Sequence, residues 1–304
     1  MTDGRTAAES PRLILILSSE RSGSTLLRFL LGAHSQITAP SELFLMRYPD
    51  YRTWRVEKPV AIESLVEYFD LLGTRKTATE IDAHCARMTT VDVYRWMLSA
   101  LQPNHFVVDK TPAYANSPES LNRSRVLRPF YVWLIRHPLG VIDSHMQIKR
   151  RVHRGQGIAG WYRRFGHFLA SHSASRGATS ALARFREFKW LLQQTNIRTF
   201  LSSVADTDQH LIRFEDLVTD PLATLQPLAG ALGITIDAGV LSVTARRQKM
   251  NPALGDPNFH THDRVEGMKA TAWQARLSER NLSFETLDFL RSLFHSSAST
   301  DSAA

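Results

Sequence analysis

Leu13-Ile14-Leu15-Ile16-Leu17-Ser18-Ser19-Glu20-Arg21-Ser22-Gly23-Ser24-Thr25-Leu26-Leu27 is the stretch on which the fold turns. Five consecutive apolar residues between polar ones suit a strand buried on both faces, as in a parallel sheet. The polar run behind them holds one glycine, and Leu26-Leu27-Arg28-Phe29-Leu30-Leu31 then reads as a helix. Strand, glycine-bearing loop and helix together aim backbone N–H groups and a helix dipole at an anion. For the loop alone a plainer reading stays open, with Ser24 as a helix N-cap and Arg21 in solvent.

The same alternation continues outward. Residues 60–101 predict helices with polar breaks. Ile62, Leu65, Val66 and Phe69 fall at helical spacing, and a second helical stretch runs from Val91 to Leu101. Phe106-Val107-Val108-Asp109 is a short buried strand that ends at Lys110-Thr111-Pro112, with a helix near Pro118–Arg125 behind it. Phe130 to Ile135 forms another strand, ending at Arg136-His137-Pro138. Proline is well tolerated just inside a helix start, so Pro138 opens a helix through Lys149. The stretch 155–205 is mostly helical, with Trp161, Phe165 and Phe168 on one face. His210 to Phe214 is a further strand, and the Pro/Gly/Asn-rich segment 251–259 interrupts the later helices. Strands alternating with helices predict an α/β fold with a central parallel sheet flanked by helices. One domain spans 11–295, between flexible tails at 1–10 and 296–304. Ligands in such folds sit beyond the carboxyl ends of the strands, where the motifs fall.

Composition narrows the function classes. With 304 residues, 43% hydrophobic and 22% charged, the chain can bury a substantial core. A single cysteine, Cys85, excludes an intramolecular disulfide and a four-cysteine metal site. No run approaches the roughly 18 apolar residues that cross a bilayer, and the polar start is no secretory signal, so the expected compartment is the cytoplasm. A formal net charge of +8 points to an anionic partner. There is no aromatic-basic ribonucleoprotein motif and no zinc finger, so nucleic acid is not expected, nor is a membrane.

The loop is not a Walker A sequence, which requires a second glycine and a lysine. Ser18 to Leu27 instead resembles the 5′-phosphosulfate loop of sulfotransferases that use 3′-phosphoadenosine-5′-phosphosulfate (PAPS). Ile135-Arg136-His137-Pro138 with Asp143-Ser144 resembles their 3′-phosphate motif, about 110 residues downstream. The likeness narrows in Asp109-Lys110-Thr111-Pro112 with Tyr114, Asn196-Ile197-Arg198 with Phe200-Leu201, Leu211 to Val218, and Gly255 to His262. These are similar to the sulfotransferase domains of modular polyketide synthases, and the match covers roughly Leu13 to Trp273. The resemblance implies a P-loop-like three-layer sulfotransferase fold, PAPS as donor and PAP as product. It further implies a hydroxyl acceptor that is a small molecule or a β-hydroxyacyl group on an acyl carrier protein. The Arg-Lys-Gly element of eukaryotic cytosolic members is absent. Arg246, Arg247 or Lys249 could replace it, or could be a solvated face.

By this resemblance Arg21, Ser22, Gly23, Ser24 and Thr25 cradle the 5′-phosphate, while Arg136 and Ser144 hold the 3′-phosphate. Lys110 and Arg21 neutralise the phosphosulfate. Cytosolic relatives carry a catalytic histidine after Lys-Thr; here that position is Pro112, so the base lies elsewhere. Glu42, in Pro40-Ser41-Glu42-Leu43-Phe44, is the first candidate, and His260 and His262 are its rivals. The two histidines lack a nearby third ligand, so no metal is expected. Arg213 either positions the acceptor or pairs with Glu215 or Asp216. Segments between Tyr48 and Leu101 and between Gly155 and Val204 are expected to shape the acceptor entrance. Two other classes stand beside this reading. One is a P-loop-type kinase or hydrolase, which lacks its loop lysine here and needs magnesium and ATP. The other is a noncatalytic nucleotide- or RNA-binding protein, which predicts steep salt dependence.

Overall fold

The computed structural model describes residues 10–152, 178–237, 239 and 270–294. The apolar run forms β1 (Arg12–Ser18), and α1 (Ser24–Leu31) follows the glycine loop. An edge strand β2 (Ile37–Thr38) comes next. Four helices then intervene before the sheet is rejoined: α2 (Tyr51–Glu57), α3 (Ile62–Leu71), α4 (Ala78–Cys85) and α5 (Thr90–Ser99). Behind them lie β3 (Phe106–Asp109), α6 (Pro118–Ser124), β4 (Phe130–Ile135), α7 (Pro138–Val152) and α8 (Ala178–Leu201). The chain continues through β5 (Gln209–Arg213), α9 (Phe214–Thr219) and α10 (Pro221–Ala231) to α11 (Phe284–Phe294).

The five strands make one parallel sheet in the order β2-β3-β1-β4-β5. β1 is its centre, with Leu13 against Val107 on one side and Leu15 against Tyr131 on the other. Side chains alternate across a strand, so an all-apolar strand feeds two cores at once. Leu13, Leu15 and Leu17 pack with Trp54, Leu65, Tyr94 and Trp190 on one face. Ile14 and Ile16 pack with Leu27, Leu30, Leu217 and Leu228 on the other. Burying each such side chain is worth about 1.5–3 kcal/mol, which is why the run cannot be a surface strand.

All four anticipated strands and the helix behind Pro138 are present, and the α/β class holds. Two elements had no counterpart in the sequence reading, the edge strand β2 and helix α2. Among the described residues no helix is long and apolar enough to cross a membrane. Trp161, Phe165, Phe168 and the segment 251–259 lie outside the described residues.

Strand order fixes where a ligand can sit. From β1 the chain departs toward β2 and β3; from β4 it departs the opposite way, toward β5. The carboxyl ends of β1 and β4 therefore flank the crevice that open α/β sheets use for binding.

Candidate active site

The loop leaving β1 is built for close approach. Arg21 and Gly23 both have left-handed backbones, at φ 67° and φ 87°. For a non-glycine residue such a conformation costs of order 1 kcal/mol, and it recurs at ligand clamps. A β-carbon on Gly23 would lie 2.3 Å from the Phe214 ring, so the glycine is required by space as well as by torsion. Gly23 occupies the N-cap place of α1 without a side-chain cap, and the first turn carries no acidic residue. The Ser24 N-cap of the plainer reading is thus not formed; Ser24 is the first helical residue. Ser22, Ser24 and Thr25 are buried, and the Ser19 and Ser22 hydroxyls lie 2.6 Å apart. The helix start leaves backbone N–H groups and the positive dipole end facing out of the loop.

Arg21 and the two residues expected on the second phosphate meet here, although they are far apart in the chain. The Arg136 guanidinium donates to the Arg21 carbonyl at 3.0 Å, and Arg21 Nε donates to Ser144 Oγ at 3.2 Å. Arg136 also stacks over Phe214, 4.2 Å from the ring centre. Gly140 makes room for it: a β-carbon there would come within 2.9 Å of Arg136 Nε. Trp190 Nε1 caps the Arg136 carbonyl at 3.0 Å.

Glu20, next to Arg21, accepts from Lys189 at 2.6 Å and pairs with Arg186 at 3.5 Å, tying the loop to α8. His145 sits among these cations. Burial, followed by the charges of Arg186, Arg21 and Lys189, pushes its pKa down to about 2.

A second cluster forms at the end of β3. Lys110 Nζ donates to Glu42 Oε1 at 2.5 Å; the lysine side chain is 3% exposed and the glutamate 20%. The backbone carrying Glu42 is pinned along its length. Ser41 N donates to Glu67 at 2.8 Å, Ser64 Oγ to the Glu42 carbonyl at 2.9 Å, and Trp54 Nε1 to the Leu43 carbonyl at 2.7 Å. Arg28, buried inside α1, donates to the Ala39 carbonyl at 3.2 Å. Burial lowers the Arg28 pKa, while the nearby charges of Glu67 and Glu42 raise it.

Arg213 ends β5 and lines a cavity of about 200 Å³ with Arg136, His137, Glu215, Trp273 and Gln274. It pairs with Asp216 at 3.8 Å. Three strand spacings of about 4.8 Å separate β5 from β3. The structure therefore groups Arg213 with Arg136, not with Lys110 and Glu42. His137 stacks on Trp273 at 4.3 Å, its backbone N–H donates to Glu215 at 3.0 Å, and its Nε2 meets Glu279 at 3.2 Å. Burial lowers its pKa against the pull of Glu279 and Glu215.

His260, His262, Arg246, Arg247 and Lys249 lie outside the described residues. Among the described residues no cluster of His, Cys, Asp or Glu could hold a metal ion. Sequence reasoning gave no role to Arg28, and it quoted Asp109 only as part of the motif that continues into Lys110-Thr111-Pro112. The signal for Arg28 was a charge inside an apolar helical run, where a buried cation must find partners.

A sequence profile described as "Sulfotransferase family" matches residues 11–238, three quarters of the chain. The chain belongs to the sulfotransferase family. No curated protein matched. Among solved structures it is similar to the sulfotransferase domain from the curacin biosynthetic pathway. The TM-score is 0.73 at 27% identity, over 94% of this chain and 98% of that one. It is also similar to the sulfotransferase domain from the Synechococcus PCC 7002 olefin synthase. There the TM-score is 0.74 at 22% identity, over 95% and 96% of the two chains, a likeness of fold. In this family member the glycine loop contains no lysine, and the buried Lys110 directly after β3 pairs with Glu42.

Proposed function

We propose that this sulfotransferase moves the sulfuryl group of PAPS to a hydroxyl acceptor, a small molecule or a carrier-protein-bound β-hydroxyacyl intermediate of natural-product biosynthesis. The observation that carries the reading is the junction at the β1–β4 crevice, where Arg136 bonds the Arg21 carbonyl and Arg21 bonds Ser144. It brings two cationic forks and a helix start to one place, as a donor with phosphates at both ends of a nucleoside requires.

In this reading Ser22 to Thr25 receive the 5′-phosphate through N–H and hydroxyl donors, and Arg136 with Ser144 takes the 3′-phosphate. The acceptor oxygen attacks sulfur in line as the bond from sulfur to the phosphate oxygen breaks, and PAP leaves. Arg21 and Lys110 offset the charge that builds on that oxygen. Glu42 takes the acceptor proton, with His260 and His262 as the competing bases; such assistance contributes about 10²–10⁴-fold. Arg213 faces the cavity beside Arg136 and pairs with Asp216, which sets it on the 3′-phosphate side of the crevice, away from the acceptor at Glu42. The 27% identity to a domain from a biosynthetic pathway supports an acceptor of that kind.

The test is thermal stability with and without PAP in EDTA, for wild type and Arg136→Ala. Ligand at a hundredfold its dissociation constant stabilises by about 2.7 kcal/mol. A clear shift in wild type that disappears in Arg136→Ala is the expected result. No shift for folded wild type at millimolar PAP would overturn the assignment of the donor. Acceptors are then screened by PAP release from PAPS, carrier-bound β-hydroxyacyl groups first, with Glu42→Gln and His260→Ala as controls.

A further inference from the structure

Asp109, the last residue of β3, has no exposed surface. Its carboxylate takes three hydroxyls: Tyr94, Tyr114 at 2.6 Å and Thr111 at 2.8 Å. Two of those hydroxyls are also acceptors. Phe44 N donates to Thr111 Oγ1 at 3.3 Å, and Met46 N donates to Tyr114 Oη at 3.4 Å. Between these two anchors the chain turns at Phe44, whose φ is 58°. Glu42 lies two residues before that turn, and Lys110, its partner, follows Asp109 directly.

The polarity of this network runs one way. Thr111 and Tyr114 receive backbone N–H groups, so their single protons are left to donate to Asp109, which as a carboxylate is acceptor-only. An amide at position 109 would bring its own donors and reverse that direction. Burial pushes the Asp109 pKa up, the three hydroxyls pull it down, and the charge of Glu42 pushes it up again. A buried acid of this kind is costly, and a fully satisfied network that specifies one geometry is the recognised return.

We propose that Asp109 is a positioning residue for sulfuryl transfer: through Thr111 and Tyr114 it fixes the Phe44–Met46 turn and so sets where Glu42 meets Lys110. The inference rests on the reading of Glu42 and Lys110 as the groups that act on acceptor and donor.

Three variants test it: Asp109→Asn, Thr111→Val and Tyr114→Phe. Each is followed by kcat, by KM for PAPS, and by the carboxyl 13C NMR signal of Glu42 at fixed pH. Misplacement by about 1 Å costs about 10²-fold, so Asp109→Asn is expected to lose kcat on that scale. Its KM for PAPS stays within about twofold, because the donor loop is untouched. The Glu42 carboxyl signal moves from its wild-type position, since its contact with Lys110 is displaced. Thr111→Val and Tyr114→Phe keep the charge of Asp109 and each lower kcat roughly tenfold, without altering stabilisation by PAP.

Wild-type kcat in Asp109→Asn, or a Glu42 carboxyl signal left in place, overturns the proposal. A loss of kcat that only tracks the unfolded fraction does so as well. Should Asp109→Asn fail to fold, unchanged kcat in both other variants decides against it. A wild type that transfers no sulfuryl group from PAPS defeats the functional reading instead. The Glu42 signal needs no substrate, and it still decides whether Asp109 governs Glu42.

Discussion

His145 shows how one side chain carries a pH dependence for the fold. Its pKa is pushed down to about 2, first by burial and then by the cations of Arg186, Arg21 and Lys189. The unfolded chain takes up a proton near the ordinary histidine value, about 6.5, whereas the folded state refuses it until far lower pH. Stability therefore is fully present above the unfolded value and falls as pH drops below it. Between pH 7 and 5 the loss from this group is about 2 kcal/mol. Urea unfolding at both pH values, in wild type and His145→Gln, reads the difference directly. The wild type should lose stability over that interval and the variant should lose less; equal losses would show that His145 protonates freely in the fold. Residue roles of this sort are partly legible in sequence. Arg21, Arg136 and Ser144 stood out because their motifs resemble the phosphate-binding motifs of PAPS-dependent sulfotransferases, and the structure brings them together. The roles of Arg28 and Asp109 were not legible, because their partners are a distant carbonyl at Ala39 and hydroxyls on α5 and after β3. Burial of a charge is local information; what satisfies it is not.

Elements differ in the same way. β1, β3 and β4 are readable because strands inside a parallel sheet are apolar or nearly so throughout, whereas β5, at the sheet edge, carries only Leu211-Ile212 as its apolar centre. β2 is two residues long and α2 buries only Tyr51 and Trp54, so neither leaves a periodic pattern. Strand order was also beyond the sequence, and with it the grouping of Arg213 with Arg136. One pairing between elements invites measurement. Asp143 on α7 accepts two parallel bonds from Arg276, both 2.7 Å, and one from Gln147 at 2.6 Å. Desolvation would raise the Asp143 pKa, but Arg276 and Gln147 hold it below the usual range. Its stabilisation is thus present above the ordinary aspartate value and lost as pH falls through the folded one. A double-mutant cycle with Asp143→Asn and Arg276→Met should return a coupling of about 1 kcal/mol, discounted because Arg276 is partly exposed. Arg276→Lys should lose most of it, since an ammonium cannot make the two-pronged contact. A coupling near zero would mean that the 270–282 segment is held to α7 by Trp273 and Leu282 packing alone.

On the scale of the molecule, β1 belongs to both cores at once. Leu15→Ala and Ile16→Ala open cavities on opposite faces of the sheet, and each should cost about 2–5 kcal/mol. Because one strand spans both layers, each variant should lower the midpoint of a single unfolding transition followed by tryptophan fluorescence and far-UV circular dichroism alike. Two separable steps, each moved by only one variant, would mean that the layers melt apart. The central place of β1 also has a cost during synthesis. Leu13 to Leu17 leave the ribosome well before their neighbours in the sheet, Phe106 to Asp109 and Phe130 to Leu134. About 90 residues must be made before the first of those partners exists, a wait of about 5–20 seconds at ordinary translation rates. For that interval the most sticky segment of the nascent chain has no sheet to join, and chaperone supply should govern yield in a heterologous host more than the stability of the finished protein does.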